Sequence, residues 1–585
     1  MLSSRKNKYL LVALLLSILF AVEVTSAVNE SQIIDEGVHL SSGYAYWQKG
    51  NFALNPEHPP LAKYIAAAPL LFLDLDPKFS GESYRDNYQW GYGRELIHEN
   101  RLSNNLILNL GRLPTMLLSV LLGLIIFKLA DRFFGTKVAL AALLLYVFDP
   151  NLIAHSRYVT TDLYITFFIF LTVMLFIGYL QKPNWHNFIW VSLALAGAAL
   201  VKFSSVILIP ILLLIYLVFR LKGGKLHPRR FFGQMFLSLL IVYCFIFIFY
   251  QFELQKPIDD SSVSQYYSDL QFQKTDSEEF NPTLWQRVSD PDHQPGSLIK
   301  MAAEKISVPG YSYFKGFFIL AQHNHFGHAS YLLGSHSNTG WWYYFPVAFL
   351  VKTPFSIILL LILAASYFIA KKWGHLEQSR ELTKWQTIKK FFAGISLPVY
   401  SLLIAVAIYF GWTLTSQLNI GIRHLLPIYP FLFILIGLFL QTIFKQGAVV
   451  QAITIALVVL LLISSVLIYP NYLSYFQELV GGADSGHLYL ADSNVDWGQG
   501  LIQLKKYMDD QKLETIRLHY FGSVDPRYYG VNWQSAPDNK FRENNPDWHG
   551  LVAISSTGMH DQEFSWISHY QPIAKIGYSI WIFAI

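Results

Sequence analysis

Long apolar stretches, separated by shorter polar segments, dominate the hydrophobic pattern of this chain. Eleven such segments can be drawn, at residues 9–28, 108–128, 137–149, 160–180, 187–201, 203–220, 231–251, 343–370, 391–412, 425–443 and 447–469. Most have the length of about twenty residues that crosses a hydrocarbon core of about 30 Å. The pattern therefore predicts a mainly α-helical, polytopic membrane protein with about eleven transmembrane helices.

The first apolar segment has two interpretations. Arg5, Lys6 and Lys8 precede it, and Thr25-Ser26-Ala27 resembles the small-residue site at which a secretory signal is cleaved. The stretch is also long enough to span a membrane, and candidate site residues follow it at once. We favour an uncleaved first span, and the sequence leaves cleavage open.

Positive charge in the short loops orients the helices. The loops at 220–230 and 371–390 are rich in lysine and arginine, as is the start of the chain. Such residues concentrate on the cytoplasmic side, so all three regions belong inside. With eleven spans the C-terminus falls outside, and segments 29–106, 252–340 and 471–585 face outward. Residues 341–344, all tryptophan or tyrosine, fit an aromatic belt at the outer interface.

The last outer segment is long enough to form a domain. It alternates helix-like stretches (472–480, 497–509) with strand-like ones (487–491, 514–521, 549–555, 572–584). This alternation predicts a small α/β unit. We therefore divide the chain into a transmembrane module, 1–470, which includes the outer loops 29–106 and 252–340, and an extracytoplasmic α/β domain, 471–585.

Composition agrees with a membrane protein and excludes several other classes. Of the 585 residues, 53% are hydrophobic and only 14% are charged, whereas soluble proteins carry about 25% charged residues. This excludes a disordered chain, a basic nucleic-acid-binding domain and most soluble enzymes. The single cysteine, Cys244, excludes an intramolecular disulfide and a cysteine-based zinc site.

Two clusters of charged residues lie in the first outer segment; the first is acidic and the second contains both acidic and basic residues. Asp35 and Glu36 follow the first span directly. Carboxylates near the bilayer surface suit general-base chemistry, because partial desolvation raises their pKa, but acidic residues also favour the first turn of any helix. Further on, Pro59-Pro60 predicts a rigid turn that holds Glu57, His58 and Lys63 against the membrane face. The alternative is a stiff surface loop before an amphipathic helix.

Several charged residues occur at the outer ends of other helices. Singly, each basic residue is more typical of an anchor that reaches the interface or a partner for a carboxylate. Together they face the same side as Asp35 and predict a site for an anion, for which a phosphate is the natural candidate. They are Arg157, Asp162, Lys202, Arg423 and His424.

Four other features have competing interpretations. His323, His325 and His328 suggest a metal site, although no acidic residue lies within that cluster. Asp492 and Asp496 precede a predicted helix, and the N-cap interpretation of Asp496 is stronger than a catalytic one for either. Arg112 falls within a span and requires a partner or a position near its end. Lys352, followed by Pro354, either reaches a lipid phosphate or begins an interfacial helix with a kink.

Motifs along nearly the whole chain carry a resemblance to a known family. They are Asp35-Glu36 with Gly43, Tyr46-Trp47, Gly50, Glu57-His58-Pro59-Pro60-Leu61 and Lys63; Phe148-Asp149-Pro150 through Thr161-Asp162; Asn419 through Pro427; and Asp492 through Gln499. In this order they resemble bacterial phospholipid-carrier-dependent glycosyltransferases of the GT-C superfamily, relatives of the protein O-mannosyltransferases and the aminoarabinose transferase. The resemblance implies a GT-C-like fold and a hexosyltransferase or mannosyltransferase-like activity.

The resemblance also implies roles for individual residues. The donor would be a sugar on a polyprenyl phosphate, transferred with inversion and without a nucleotide. Asp35 would be the general base on an acceptor hydroxyl, Glu36 would support it, and Asp162 would orient donor or acceptor. The residues expected to bind the donor phosphate or substrate are Arg423, His424, Lys63, Lys202, Arg157, Glu57 and His58. Fixed cations suit this reaction, because negative charge grows on the departing phosphate.

The resemblance leaves several points open. The C-terminal 115 residues do not resemble the β-trefoil insert of eukaryotic protein O-mannosyltransferases, so glycan, lipid and protein acceptors all stay open. No cofactor is certain, and a divalent metal is left open because relatives differ. Membrane lipid is an expected partner and nucleic acid is not. The expected location is a bacterial cytoplasmic (inner) membrane, with the site on the periplasmic or extracellular side.

Two other classes of function compete with a transferase. A transporter or flippase of a lipid-linked saccharide should place ionisable groups near mid-membrane along a path to both faces. Here most candidate residues are at one face, which favours the enzyme. A non-catalytic scaffold whose outer loops bind glycan is the third hypothesis, and loss of turnover in an Asp35→Asn variant would distinguish the enzyme from it.

Overall fold

The structure is a computed structural model that describes residues 5–256, 306–377 and 393–585. The predicted outer loop 252–340 and inner loop 371–390 therefore lie partly outside the described residues. The chain is mainly helical. In chain order, its described helices are α1 (Arg5–Ala27), α2 (Ile34–Lys49), α3 (Leu61–Ala67), α4 (Glu82–Arg85), α5 (Gln89–His98), α6 (Asn104–Phe134), α7 (Thr136–Val147), α8 (Pro150–His155), α9 (Asp162–Gln181), α10 (Trp185–Val201), α11 (Leu208–Leu221), α12 (Pro228–Phe249), α13 (Tyr311–Phe326), α14 (Tyr344–Lys352), α15 (Phe355–Glu377), α16 (Leu397–Thr413), α17 (Tyr429–Leu440), α18 (Ala448–Leu467), α19 (Gly482–Ser485), α20 (Leu501–Asp510) and α21 (Asn539–Asn544).

The apolar segments form helices of two lengths. Within the described ranges, seven helices are long and apolar enough to cross a membrane, or eight if the bent pair α14 and α15 is one span. Three other predicted segments form shorter helices, namely α7, α10 and α16. The protein is thus a multi-pass membrane protein, and the prediction of eleven spans counted these three short helices as full ones. The pair α14 and α15 is bent by 105° at the break that contains Pro354, which agrees with the predicted kink.

The helices pack so that the loops before α2 and α9 meet. α6 packs against α1 and α7, while α9 packs against α10 and against the 3-10 segment Ile422–Ile428 that precedes α17. α2 does not continue α1; it packs against α3 and α5 instead. Gly135, with φ +92°, separates α6 from α7 and allows the chain to reverse. The N-terminal ends of α2 and α9 are thereby brought close to residues 422–428.

The C-terminal region contains a mixed five-stranded sheet. Its strands are β5 (Ile516–His519), β6 (Trp533–Ser535), β7 (Leu551–Ser555), β8 (Pro572–Ile576) and β9 (Ile580–Ala584), after the short pairs β1 (Leu254–Gln255) with β2 (Val308–Pro309) and β3 (Ser330–Leu332) with β4 (Ser335–Ser337). The order is β6-β5-β7-β9-β8, with β5 parallel to both neighbours and β9 antiparallel to both of its own.

Both faces of this sheet are covered. Ala553 and Ile582 face a cluster that includes Leu504 of α20, whereas Val552 and Phe583 face a second cluster around Phe564. This is the alternation expected of strands, because successive side chains point to opposite faces. The small α/β unit predicted from the sequence is present.

Two details of the C-terminal prediction were wrong. The stretch 487–491 is not a strand; it contains a 3-10 turn and a single bridge from Leu490 to Leu332. Leu490 is buried in the main helical core, so tertiary packing overrides its strand-like pattern. Residues 472–500 also pack with the helices, since Tyr472, Val495 and Trp497 belong to the same core. The sheet itself begins only after that stretch, at Ile516.

Candidate active site

A cavity of about 1110 Å³ opens where these loops meet. Its wall is built by the first turns of α2 and α9, the turn after α10, the segment before α17, helix α13 and the loop around Asp492. Typical ligand pockets have about 300–1,000 Å³, so there is room for a substrate larger than one sugar. Seven of the ten predicted site residues line it: Asp35, Glu57, His58, Asp162, Lys202, Arg423 and His424.

Arg423 joins two carboxylates at the centre of the cavity. Its Nη1 lies 2.8 Å from Oδ2 of Asp35 and 3.6 Å from Oδ2 of Asp162. The guanidinium also lies over the ring of Trp497, with 4.2 Å between its Cζ and the ring centroid. Lys202 pairs with the other oxygen of Asp162, with Nζ 2.6 Å from Oδ1. Acidic and basic groups thus alternate across one face of the cavity.

The two carboxylates differ in access. The Asp162 side chain is 2% exposed and contacts two cations, whereas that of Asp35 is 25% exposed and pairs with Arg423 alone among the ion pairs of the described residues. A base must reach the proton that it removes. Asp35 is therefore the carboxylate that an incoming hydroxyl can approach, and Asp162 orients the cations.

A buried ion pair fixes the start of α2, which carries Asp35. Arg112 bonds both oxygens of Glu36, at 2.8 Å and 2.7 Å, and also donates to the backbone carbonyls of Ala27, Glu30 and Ser31. Glu36 accepts in turn from the backbone N–H of Ile33. The guanidinium therefore ties the end of α1 to the start of α2.

The C-terminal region holds the same loop from the other side. The backbone N–H groups of Ser31 and Ile34 donate to the carbonyls of Gln499 and Trp497, each at 3.0 Å. The hydroxyl of Ser31 donates to the carbonyl of Gly498. Residues 497–499 are thus part of the structure that positions Asp35.

Glu36 does not take the supporting catalytic position expected from the sequence. Its side chain is fully buried, bonded to Arg112 and to the backbone N–H of Val159, and does not line the cavity. Successive residues of a helix point about 100° apart, so Asp35 and Glu36 face different surroundings. Glu36 positions the site and is not placed to contact substrate.

Lys63 and Arg157 are likewise outside the cavity wall, contrary to the expectation that they bind phosphate. Lys63 is buried and donates to the carbonyls of Asn55 and His58, at 2.8 Å and 2.7 Å. It therefore holds the turn that presents Glu57 and His58. Arg157 is buried against Glu30, with 2.9 Å between Nη2 and Oε1.

Two further basic residues are also engaged inside the protein. Arg112 is paired, as its position within a span requires. Lys352 donates to the carbonyls of Leu473 and Asn494, at 2.8 Å and 2.7 Å. Since these contacts bury its ammonium group, Lys352 is not directed at a lipid phosphate.

Histidines form the wall opposite Arg423. Nδ1 of His323 lies 3.6 Å from Oε1 of Glu57, and its Nε2 lies 3.4 Å from Nδ1 of His328. Burial lowers the pKa of His58 well below its usual value and that of His328 to about 4. These two rings are therefore neutral near pH 7. No three metal-binding side chains converge on one point anywhere in the described ranges.

Two cavity residues were missed by the sequence-based prediction of the site. His39 lines the cavity, and its Nδ1 lies 3.0 Å from the carbonyl of Val159. Asp492 also lines it, with a left-handed φ of +56° and a bond from the N–H of Ser493 to its carboxylate. Burial raises the pKa of Asp492 to about 6, although Arg423 opposes this. Asp492 could have been identified from the sequence, because it begins the motif Asp492 through Gln499 that carries part of the family resemblance.

Asp496 is not the N-cap that the sequence suggested. Helix α20 begins at Leu501 with Gly500 before it, and Asp496 accepts from the N–H of Gly498 at 3.1 Å. The carboxylate is fully buried next to Trp497. It stabilises the turn that carries the Trp497 ring to Arg423.

Comparisons with known proteins give one family match and several structural likenesses. Residues 102–249 match the family described as dolichyl-phosphate-mannose-protein mannosyltransferase. The protein O-mannosyltransferase Pmt1-Pmt2 complex of S. cerevisiae, solved with the sugar donor bound, is structurally similar with a TM-score of 0.51 over 93% of this chain and 96% of that one, at 13% identity. This chain has the GT-C fold. The motif order implied this fold, and the family match itself is limited to residues 102–249.

Two further solved structures give TM-scores below 0.5. ArnT from Cupriavidus metallidurans bound to undecaprenyl phosphate gives a TM-score of 0.44 at 12% identity, over 98% of this chain and 97% of that one. The Archaeoglobus fulgidus oligosaccharyltransferase AglB, in complex with an inhibitory peptide and a dolichol-phosphate, gives 0.42 at 12% identity, over 97% and 73%. No curated protein matches the chain by sequence.

Proposed function

We propose that this protein is a membrane glycosyltransferase that transfers a sugar from a polyprenyl-phosphate-linked donor to a hydroxyl of an acceptor on the outer face of the membrane. The observation that carries the proposal is the accessible Asp35 carboxylate held 2.8 Å from Arg423 in a cavity that also contains Lys202. The description of the matched family names dolichyl-phosphate-mannose, which is a donor of this chemical class.

The reaction follows from the charges in the cavity. Asp35 removes the proton of the acceptor hydroxyl as its oxygen attacks the anomeric carbon. The bond from that carbon to the phosphate oxygen breaks, and its electron pair leaves with the polyprenyl phosphate. Attack from the face opposite the phosphate inverts the configuration at the anomeric carbon.

Arg423 and Lys202 would stabilise the departing phosphate. Negative charge grows on the phosphate as the bond breaks, so fixed cations lower the energy of the transition state more than that of the bound donor. Asp162 keeps both cations in place, since it contacts each of them. Trp497 covers one face of the Arg423 guanidinium and restricts its orientation.

The cavity also offers separate surfaces for a lipid and for a polar group. Val206, Phe317, Leu320 and Trp412 form an apolar part of its wall. A polyprenyl chain would find apolar contacts there while its phosphate reaches Lys202. The sugar of the donor would then lie between Lys202 and Asp35.

The test is transfer by purified protein from a panel of polyprenyl-phosphate sugars, with wild type beside Asp35→Asn and the exposed-site control Asp510→Asn. We expect donor-dependent release of polyprenyl phosphate by wild type and by the control. Loss of a general base lowers turnover by about 10²–10⁴-fold, and Asp35→Asn should show this loss with an unchanged melting temperature. Full turnover in Asp35→Asn would assign the base to another carboxylate, and movement of the intact donor across liposomes without transfer would favour a flippase.

A further inference from the structure

A polar and aromatic rim of the cavity comes from a segment of the chain that carries neither Asp35 nor Arg423. Residues 86–90 form this rim, and all five line the cavity. Tyr88 is 54% exposed and Trp90 is 38% exposed, so both rings are accessible to a ligand. The other side chains of the rim are a carboxylate, Asp86, and two amides, Asn87 and Gln89.

The rim is held in a fixed shape by the loop that precedes α3. Asn51 donates to the side-chain oxygen of Asn87 at 2.9 Å, and Asn55 donates to that of Gln89 at 2.6 Å. Because each amide oxygen is engaged in this way, the NH₂ groups of Asn87 and Gln89 point away from these partners. The rim thus offers oriented donors beside the two aromatic rings.

The ring of Tyr88 is held against the first turn of α5. A Cβ atom at Gly91 would lie 2.5 Å from Cδ1 of Tyr88, so only glycine allows the ring to lie so close to the helix. One side of the ring therefore covers the helix while more than half of the residue stays exposed. This leaves a flat, preorganised surface at the cavity mouth.

The rim is also fixed relative to Asp35. Helix α5 crosses α2 at two glycines, since a Cβ at Gly93 would fall 2.8 Å from the backbone of Gly37. Gly37 is two residues after Asp35 in the same helix. A molecule bound on the rim is therefore held at a defined position with respect to the proposed base.

Sugars are the ligands that this combination recognises. The C–H groups of a pyranose face pack on exposed aromatic rings, and its hydroxyls bond to carboxylates and amides. Glu57 extends the acidic part of this wall, whereas lysine and arginine are not among its residues at 53–58 and 86–90. Such a surface disfavours an anionic headgroup and accepts uncharged hydroxyl-rich rings.

We propose that the 86–90 rim is the acceptor subsite and that the acceptor is a glycan. The inference rests on the proposed function, because it assigns the hydroxyl that Asp35 deprotonates to a sugar of that glycan. The apolar wall around Phe317 and Trp412 is left for the donor lipid. The two substrates would thus contact different parts of one cavity wall.

The experiment measures binding separately from turnover. Full-length Asp35→Asn protein in detergent is titrated with gluco-, manno-, galacto- and N-acetylglucosamine tetrasaccharides, a Ser/Thr peptide and a diacylglycerol, with saturation-transfer NMR as the readout. We expect at least one tetrasaccharide to bind. Tyr88→Ala and Trp90→Ala should weaken it by about tenfold, the equivalent of one lost aromatic contact. Trp342→Ala, an exposed tryptophan outside the cavity wall, should leave it unchanged.

Each other result would overturn the assignment. Absence of binding by all four tetrasaccharides, binding of the peptide or diacylglycerol instead, or saccharide binding that is insensitive to both rim variants would each do so. Weaker association with vesicles in Tyr88→Ala and Trp90→Ala, with saccharide affinity intact, would identify the rim as a membrane anchor. Saccharide binding at the rim by a protein that transfers no sugar would instead leave the subsite intact and refute the proposed function.

Discussion

Arg423 has more than one partner, and this determines how the candidate site can respond to substrate. Its guanidinium contacts Asp35 and Asp162 and is stacked on Trp497. Both carboxylates contact its Nη1, whereas its Nε is buried without a hydrogen-bond partner among the described residues. Under the proposed function, a donor phosphate would bond this Nε while Asp35 keeps its ion pair, so that Arg423 holds the base next to the donor.

A pH dependence follows from Asp492. Burial raises the pKa of its carboxyl to about 6 from an ordinary value of 3.8. As the pH rises, the unfolded chain loses this proton first, so between about pH 4 and pH 6 the folded chain binds more protons and the free energy of unfolding falls. Asp492→Asn removes this dependence. The melting temperature of wild type minus that of Asp492→Asn should therefore decrease by about 2 °C or more across the window and level off above it.

The measurement is thermal unfolding in detergent at a series of pH values. Asp510→Asn serves as the control, because Asp510 is exposed and its difference from wild type should stay constant. A constant difference for Asp492→Asn would contradict the raised pKa of Asp492.

At the scale of helices and strands, the hydrophobic segments predicted correctly where helices are present, but they did not predict how long each helix is. Every one of the eleven predicted segments contains a helix in the described residues. Three helices are short because the chain turns close to one of their ends, at Asp149-Pro150 after α7, at Lys202 after α10 and at Ser396 before α16. After α7 and α10 the apolar residues continue past the turn into buried protein, so composition alone does not mark these two ends.

The sequence predicted which helix ends form the candidate site. It predicted less well which individual side chains line it. We assumed that charged residues at the ends of helices on one face lie close together. This assumption identified Asp35, Asp162, Lys202 and Arg423, which all line the cavity. The sequence does not say which way each side chain points. Glu36 turns into the protein for this reason, one residue after Asp35. Asp492 comes from a loop whose packing against the helices depends on the whole fold.

The buried ion pair between Glu36 and Arg112 should contribute to the stability of the fold and should not take part directly in the reaction. Glu36→Gln leaves the Arg112 charge buried without its counter-ion, which costs about 3–5 kcal/mol. We expect a large drop in melting temperature for Glu36→Gln and an unchanged one for Asp35→Asn, whose side chain is partly exposed. Thermal unfolding of both variants, with polyprenyl phosphate release as the second readout, checks this. A Glu36→Gln protein of normal stability and lost turnover would return Glu36 to a catalytic role.

The crossing of α2 and α5 depends on the absence of side chains. Gly93→Ala would place a Cβ 2.8 Å from the Gly37 backbone, and overpacking of this kind costs about 1–3 kcal/mol. The helices must separate, so we expect a lower melting temperature and weaker acceptor use. Gly233→Ala is the matched control, because a Cβ there meets nothing within 4 Å and alanine favours a helix. Equal stability of both variants would argue against close packing at this crossing.

For the whole molecule, the orientation in the membrane is the main prediction that stays open. Cys244 is the only cysteine, so a Cys244→Ser background allows single new cysteines to be labelled. In intact cells a membrane-impermeant maleimide should label Asp510→Cys, beyond the last span, and not Lys225→Cys, in the basic loop before α12. Permeabilised cells should label both, which controls for access. Labelling of Lys225→Cys in intact cells would reverse the predicted topology and place the cavity in the cytoplasm.

The hydrogen bonds from residues 31 and 34 to residues 497 and 499 have a consequence for biosynthesis. The loop that carries Asp35 leaves the ribosome long before its partners at residues 497 and 499. Under the proposed function, a nascent chain would enter the membrane with an incomplete site and would not consume donor lipid until residues 497–499 have been synthesised. Truncated chains would accumulate as inert membrane proteins, so enzymatic activity in a membrane preparation reports completed synthesis and insertion rather than protein abundance.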